Sequence, residues 1–375
     1  MARNENRKSG AVLFCLFLMA VFLSACPMAL SGMESKQDTL QERLSGWFFY
    51  PILYYTPETR FAAGGMLQYI FRTAGSTMDS RPSTLIPVFI YTQNKQMISQ
   101  VEFDRYWSGE RNHLYTTIGY IDYPDRFYGM GNRTSVDDKE SYTSRTPSVL
   151  FRFLRRLGRG LYAGVQYDFS STKLMKIEEG GRLIEGIIPG SAGGIVSGTS
   201  LILNWDTRDN VFSSSRGGYY FFSAGYFGRK LGSDFDFQRA TFDLRRYVPF
   251  FGSHVLAFQG YVKMTFGNPP FYMMSLFGGS NRMRGYFLGR YRDRHMAVFQ
   301  AEYRMPVWKR IGVVGFAGVG DVAHEMGDFS IGRLKSSFGF GLRYQFDPVE
   351  KMNLRMDFGF AEGGYEIYIG AVEVF

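Results

Sequence analysis

The sequence predicts an all-β fold: a transmembrane antiparallel β-barrel of about sixteen strands. Three observations carry the prediction. The 375 residues are 17% aromatic, contain 44 Gly and are only 21% charged, yet no long apolar run follows the first thirty residues, a composition that suits membrane-crossing strands better than membrane-crossing helices. Strand-like segments follow one another with alternating sidedness, and charges occupy what would be the core face of a soluble sandwich. The links between them also alternate between long and short.

The amino terminus stands apart. Residues 1–31 read as a signal peptide, with a basic head (Arg3, Arg7, Lys8) and an apolar stretch from Ala11 to Ala25. Two endings are open. Leu23-Ser24-Ala25-Cys26 fits a bacterial lipobox, with lipidation at Cys26, and Ala29-Leu30-Ser31 fits an ordinary signal peptidase. Cys15 and Cys26 are the only cysteines, so the expected barrel has no disulfide or thiol chemistry. Residues 32–46 are expected to form a short periplasmic segment, and residues 47–375 the outer-membrane barrel.

Strands are expected near Phe49–Tyr55, Phe61–Thr73, Thr84–Thr92, Ser99–Trp107, His113–Tyr123, Pro147–Leu154, Leu161–Phe169 and Gly198–Asp206. They continue near Gly218–Phe227, Gln238–Val248, His254–Phe266, Met296–Val307, Val313–Val322, Phe338–Phe346, Met352–Phe360 and Glu366–Phe375. In the eighth, Leu201, Leu203 and Trp205 oppose Asn204 and Asp206. In the tenth, Phe242, Leu244 and Val248 oppose Thr241, Asp243, Arg245 and Tyr247. In the fifteenth, Met352, Leu354, Met356, Phe358 and Phe360 oppose Asn353, Arg355 and Asp357. Each is a period-2 pattern with one lipid-compatible face.

If the chain enters from the periplasm, Pro124–Arg145, Leu174–Ser197 and Gly267–Arg294 are long extracellular links. Gly158-Arg159-Gly160, Lys309-Arg310 and Asp347–Lys351 are then short periplasmic turns, and Thr73–Ser83 is an unexplained long one. Trp47, Trp107, Trp205 and Trp308 then share the periplasmic rim, where amphipathic rings belong. The net charge of +9 is scattered along the chain. Scatter argues against nucleic acid and suits outer-membrane lipid, lipopolysaccharide phosphates or an arginine-lined lumen.

The most distinctive stretch is Phe277–Pro306, FGGSNRMRGYFLGRYRDRHMAVFQAEYRMP. A Gly-Gly turn leads through a basic loop to a strand in which Ala297, Phe299, Ala301, Tyr303 and Met305 oppose Gln300, Glu302 and Arg304. This GG…RMRGY loop followed by QAEYRMP resembles the sixth extracellular loop and next strand of the BamA/TamA-like superfamily of outer-membrane insertases and transporters. The resemblance continues to Phe375, and upstream through Asp206-Thr-Arg208-Asp209-Asn210, similar to the family's D-x-R-D-N rim turn. It implies that Arg284, Gly285 and Tyr286 fold back into the lumen, with Arg284 paired to a carboxylate. The family's F-x-D-x-G acid position is Gly318 here, in Phe316–Asp321, which leaves Asp321, Glu302 and Asp357 as candidate partners. The terminal strand resembles the signal read by the barrel assembly machinery, with Phe375 at its end and Glu373 in a usually apolar place. Residues 32–46 are too few for the periplasmic POTRA modules that relatives carry.

The resemblance implies protein insertion or translocation across the Gram-negative outer membrane, with a translocated protein or a separate periplasmic chain as partner. A passive porin-like channel, anion-preferring through Arg239, Arg245, Arg343 and Arg355, and a structural surface antigen are alternatives; a barrel enzyme is a third. His113, His254, His295 and His324 lack metal-ligand spacing, and no nucleophile–base set is evident, so no catalytic residue, metal or cofactor is expected. Arg284 could also be one of five loop arginines, with Arg282, Arg290, Arg292 and Arg294, that face solvent or phosphate. Asp206, Arg208 and Asp209 form either a rim network or an ordinary charged turn.

Overall fold

The computed structural model describes residues 46–72, 82–348 and 350–375. The signal peptide with Cys26, nearly all of the short periplasmic segment and most of the Thr73–Ser83 link lie outside the described residues.

The first eight strands are β1 (Gly46–Thr56), β2 (Arg60–Phe71), β3 (Ser83–Thr92), β4 (Met97–Trp107), β5 (Asn112–Phe127), β6 (Glu140–Gly158), β7 (Leu161–Met175) and β8 (Gly194–Asp206). Then come β9 (Gly217–Phe227), β10 (Phe237–Phe250), β11 (His254–Gly267), the short β12 (Ser275–Phe277) and β13 (Tyr291–Asp293), and β14 (His295–Trp308). The last four are β15 (Ile311–Ala323), β16 (Lys335–Asp347), β17 (Met352–Ala361) and β18 (Gly364–Ala371). Sixteen of them close into one antiparallel barrel in chain order, while β12 and β13 form a separate hairpin inside the link between β11 and β14.

Alternation sets the wall. Along β14, Met296, Val298, Gln300, Glu302 and Arg304 are buried, while Phe299 is 52% exposed on the outer face. Leu201, Leu203 and Trp205 are exposed on β8, and Asn353, Arg355 and Asp357 are buried on β17. The exposed apolar side faces lipid and the buried polar side faces the lumen. Trp47, Trp107, Trp205 and Trp308 all sit where strands meet the same, short-turn end.

Three strands outrun the sequence reading. β5 continues past Tyr123 to Phe127, β6 begins at Glu140 rather than Pro147, and β7 reaches Met175 rather than Phe169. The added residues (Ser141, Thr143, Ser144, Ser170, Ser171, Thr172) are polar on both faces, so the lipid-driven alternation that marks a strand is gone. Arg145 Nε donates to Asp122 Oδ2 at 2.7 Å there.

The last strand falls short. Expected to run to Phe375, β18 stops at Ala371; Val372 takes a left-handed φ of 60° and the tail turns into the lumen. The cause is charge. Glu373 finds Arg343 and Asn353 inside the barrel, and no lipid-facing place would accept its carboxylate.

Closure is uneven. β5 and β6 pair over 16 positions from Asn112↔Arg155 to Phe127↔Glu140, whereas among the described residues β1 meets β18 at the single register pair Tyr55↔Ile369.

Candidate functional site

The link between β11 and β14 enters the lumen from the loop-rich end. Its Phe277, Met283, Tyr286 and Tyr291 pack on Tyr261, Met296, Val298 and Val322 of the wall. Burial of side chains this size is worth about 1.5–3 kcal/mol each, so the loop is seated by packing as well as by charge.

Its tip is the Arg284-Gly285-Tyr286 triplet. Arg284 is 1% exposed. Its Nη1 donates to Asp357 Oδ2 at 2.8 Å and its Nη2 to Glu302 Oε1 at 2.5 Å, so one guanidinium bridges β17 and β14. Its Cζ lies 3.5 Å from the centre of the Phe316 ring, a cation–π contact in a desolvated setting. Gly285 has φ 109°, and a Cβ on Gly359 of β17 would stand 2.6 Å from the Gly285 nitrogen. Two glycines therefore let the tip lie flat on the wall. The Gly285 N–H donates to Tyr368 Oη at 3.1 Å, Tyr368 Oη donates to the Tyr286 carbonyl at 3.2 Å, and Tyr286 Oη donates to the Ser336 carbonyl at 3.2 Å.

Of the three candidate acids, Glu302 and Asp357 thus meet Arg284. Asp321 lies nearer the loop end and accepts from Asn132 Nδ2 at 2.8 Å. Gly318 leaves room for Met283, whose Sδ would be 3.1 Å from an added Cβ. The acids instead come from β14, the neighbouring stave, and from β17, two staves away on the other side.

The ion pairs extend to the tail. Arg343 donates from Nη1 to Asp357 Oδ1 at 2.6 Å and from Nε to Glu373 Oε2 at 2.8 Å, and Arg355 Nη1 reaches Asp357 Oδ2 at 3.3 Å. Arg304 donates from Nε to Glu302 Oε2 at 2.9 Å and from Nη2 to the Phe375 carbonyl oxygen at 2.6 Å. The Phe375 ring packs with Tyr247, Val255 and Ala257 on the lumen side of β10 and β11. A terminal aromatic residue expected on the face of the last strand is thus inside the barrel.

The rim turn at 207–216 closes the short-turn end. Arg208 forks onto Asp206, with Nε and Nη2 both at 2.9 Å. Burial alone would raise the Asp209 carboxyl, but the Ser215 hydroxyl and the backbone N–H groups of Ser215 and Arg216 outweigh it and leave Asp209 below the usual range. The turn touches the tail, since Glu373 N donates to the Phe212 carbonyl at 3.2 Å.

From sequence, Tyr368 and Glu58 are missed, while Arg304 and Arg343 face the lumen and Glu373 sits out of place, none of them with a partner. Glu58, in the β1–β2 turn, is buried and accepts from Leu288 N at 2.6 Å, 230 residues away; burial pushes its carboxyl above the ordinary range despite that hydrogen bond. The histidines are spoken for singly. His113 Nε2 is 2.7 Å from Asp104 Oδ1, His254 Nδ1 meets the Tyr303 hydroxyl, His324 Nδ1 lies 3.3 Å from Asp293 Oδ1, and His295 packs on Phe266.

Residues 93–366 match the Omp85 superfamily domain. Among solved structures, the chain is similar to BamA from Haemophilus ducreyi lacking POTRA domains 1–3, with a TM-score of 0.62 at 12% identity, covering 87% of this chain and 70% of that one. It is also similar to CdiB from Acinetobacter baumannii, with a TM-score of 0.56 at 11% identity, covering 87% of this chain and 59% of that one. No curated protein matches it in sequence. At these identities the two structures share its barrel fold.

Proposed function

The chain belongs to the Omp85 superfamily, and on that premise we propose that it acts in protein insertion into, or translocation across, the Gram-negative outer membrane, as a barrel held shut by its own loop. The observation that carries this reading is the bridging of Arg284 to Glu302 and Asp357. A buried guanidinium between two carboxylates has one geometry, so the tip is a defined latch rather than a loosely packed loop. The single-pair meeting of β1 and β18 supports it, because a latch matters where the wall can part. The partners on this reading are a client polypeptide in the lumen or at the seam, the barrel assembly machinery, and lipopolysaccharide around the outer rim.

A passive anion pore fits less well. Of its four arginines, three pair with carboxylates, Arg245 with Asp243 at 2.6 Å, Arg343 with Asp357 and Glu373, and Arg355 with Asp357, which leaves Arg239 alone without one among the described residues. The test is single-channel conductance of the refolded mature protein against its Arg284→Ala variant. A mostly closed wild type and a variant that flickers open are expected. A steady open pore indifferent to the substitution would leave a passive channel as the better account.

A further inference from the structure

The cations around the plug are paired with carboxylates along one arc of the wall and unpaired along the arc beside it. Toward β14–β18, Arg284, Arg304, Arg343 and Arg355 meet Glu302, Asp357 and Glu373. On the adjoining arc of the wall, where β11 pairs with β14, Arg239 of β10 stands opposite Thr265 and Lys263 of β11 stands opposite Thr241. Both lie on the inward face that carries Asp243, Gln259, Tyr261 and Thr265, so the two cations are diagonal neighbours, a spacing of about 7–8 Å. The loop adds a third. Arg282, two residues before the latch arginine, lays its Cζ 3.7 Å over the ring of Tyr261, the next inward residue along from Lys263.

Among the described residues none of these three reaches a carboxylate at ion-pair distance. The acid whose field reaches Arg239 is Asp168 of β7, and its oxygens already accept from Gln166 Nε2 at 2.9 and 2.8 Å. Arg239 is held in place, with Nη2 on the Met273 carbonyl at 2.6 Å and its guanidinium over Phe227 and Phe237. Its Nε, the Arg282 Nε and the Thr265 Oγ1 are buried without a partner. Three gathered cations, two of them with an open Nε, carry a repulsive and a desolvation cost that a multiply charged oxyanion removes. A single carboxylate would cancel only part of that charge, whereas phosphate oxygens accept from several guanidinium and ammonium donors at once.

We propose that Arg239, Lys263, Arg282 and Thr265 form a luminal oxyanion site for a phosphate-class anion. Because Arg282 belongs to the loop and the others to the wall, the bound anion staples the loop to β10–β11 as a second fastening beside Arg284. The stapling role rests on the plug reading above; the site itself does not.

The test is calorimetric titration of the refolded protein with inorganic pyrophosphate in low-salt, phosphate-free buffer. Saturable binding is expected, weakened at least about tenfold in Lys263→Met, on the scale of one lost charge-assisted contact. In anion-free buffer Lys263→Met should melt higher than wild type, since it removes a like charge, and pyrophosphate should raise the midpoint of wild type alone. Should Lys263→Met fail to fold, Arg282→Gln on the loop carries the same binding expectation. No saturable heat, or equal affinity in wild type and variant, would overturn the site and leave adventitious binding. Short-chain phosphatidic acid forms a second arm: tighter binding than pyrophosphate assigns a lipid headgroup as the source, weaker binding a soluble anion. The titration reads the site even if Arg284→Ala leaves conductance unchanged, so failure of the plug and failure of this site are distinct results.

Discussion

The wall at β5–β6 and the wall at β1–β18 are made of the same kind of strand and held in different ways. The first is zipped by backbone hydrogen bonds over its whole length, from Asn112↔Arg155 to Phe127↔Glu140. The second meets at Tyr55↔Ile369, and its two terminal strands are tied from the inside instead. Tyr368 of β18 holds the loop tip, Glu373 beyond β18 holds Arg343, and Glu58 beyond β1 holds Leu288. The difference teaches that the loop does more than fill the lumen. Through Glu58 and Tyr368 it links the first and last strands, so loosening the loop should loosen the seam while β5–β6 stays shut.

The sharpest way to break that contrast is Asp357→Asn. One carboxylate accepts from Arg284, Arg343 and Arg355, and removing a buried partner of this kind costs about 3–5 kcal/mol. The expected outcome is a large fall in the temperature at which the refolded barrel loses its folded gel mobility, together with faster amide exchange confined to β1, β17 and β18. Uniformly faster exchange, β5 and β6 included, would show that the seam is no weaker than the rest.

How much of this could be read in the sequence follows from the same contrast. The staves were legible because lipid outside and polar lumen inside impose a period of two, visible in Leu201/Leu203/Trp205 and in Asn353/Arg355/Asp357. The reading faded at Glu140–Thr146 and Ser170–Met175, where both faces are polar. Glu302 and Asp357 stood out as carboxylates on an inward face, but spacing could not rank them against Asp321, because which of them meets Arg284 depends on how the staves are staggered. The tail was misread: Glu373 looked like a flaw in an outward-facing strand and is instead the group that draws the chain inward. Glu58 was invisible. Its partner is a backbone N–H 230 residues away, and no local pattern encodes that.

A smaller effect is expected for Tyr368→Phe. The hydroxyl accepts from Gly285 N–H and donates to the Tyr286 carbonyl, so its loss leaves a buried backbone donor unpaired at a cost of about 1–3 kcal/mol. The aromatic body stays, so the barrel should fold with little change in midpoint while brief conductance openings become more frequent than in wild type. An unchanged opening frequency would remove Tyr368 from the latch.

The smallest and most specific effect belongs to Glu58. Burial holds its carboxyl above the ordinary carboxylate range of about 4.5. A group raised on folding contributes stability that is present below its unfolded value and lost as pH climbs through the folded one. The folded state around Glu58 should lose stability as pH rises from that range upward, the cost of the buried charge outweighing the stronger bond that the ionised carboxylate takes from the Leu288 N–H. Glu58→Gln keeps an oxygen for the Leu288 N–H and removes the titration. At neutral pH it should therefore hold the loop at least as well as wild type, and the pH dependence of channel opening should flatten. Glu58→Ala removes the acceptor and should raise opening at every pH. If Glu58→Gln instead opened the channel as Glu58→Ala does, the carboxylate charge rather than the hydrogen bond would be what ties the first strand to the loop, and the seam would be fastened by charge at both of its edges.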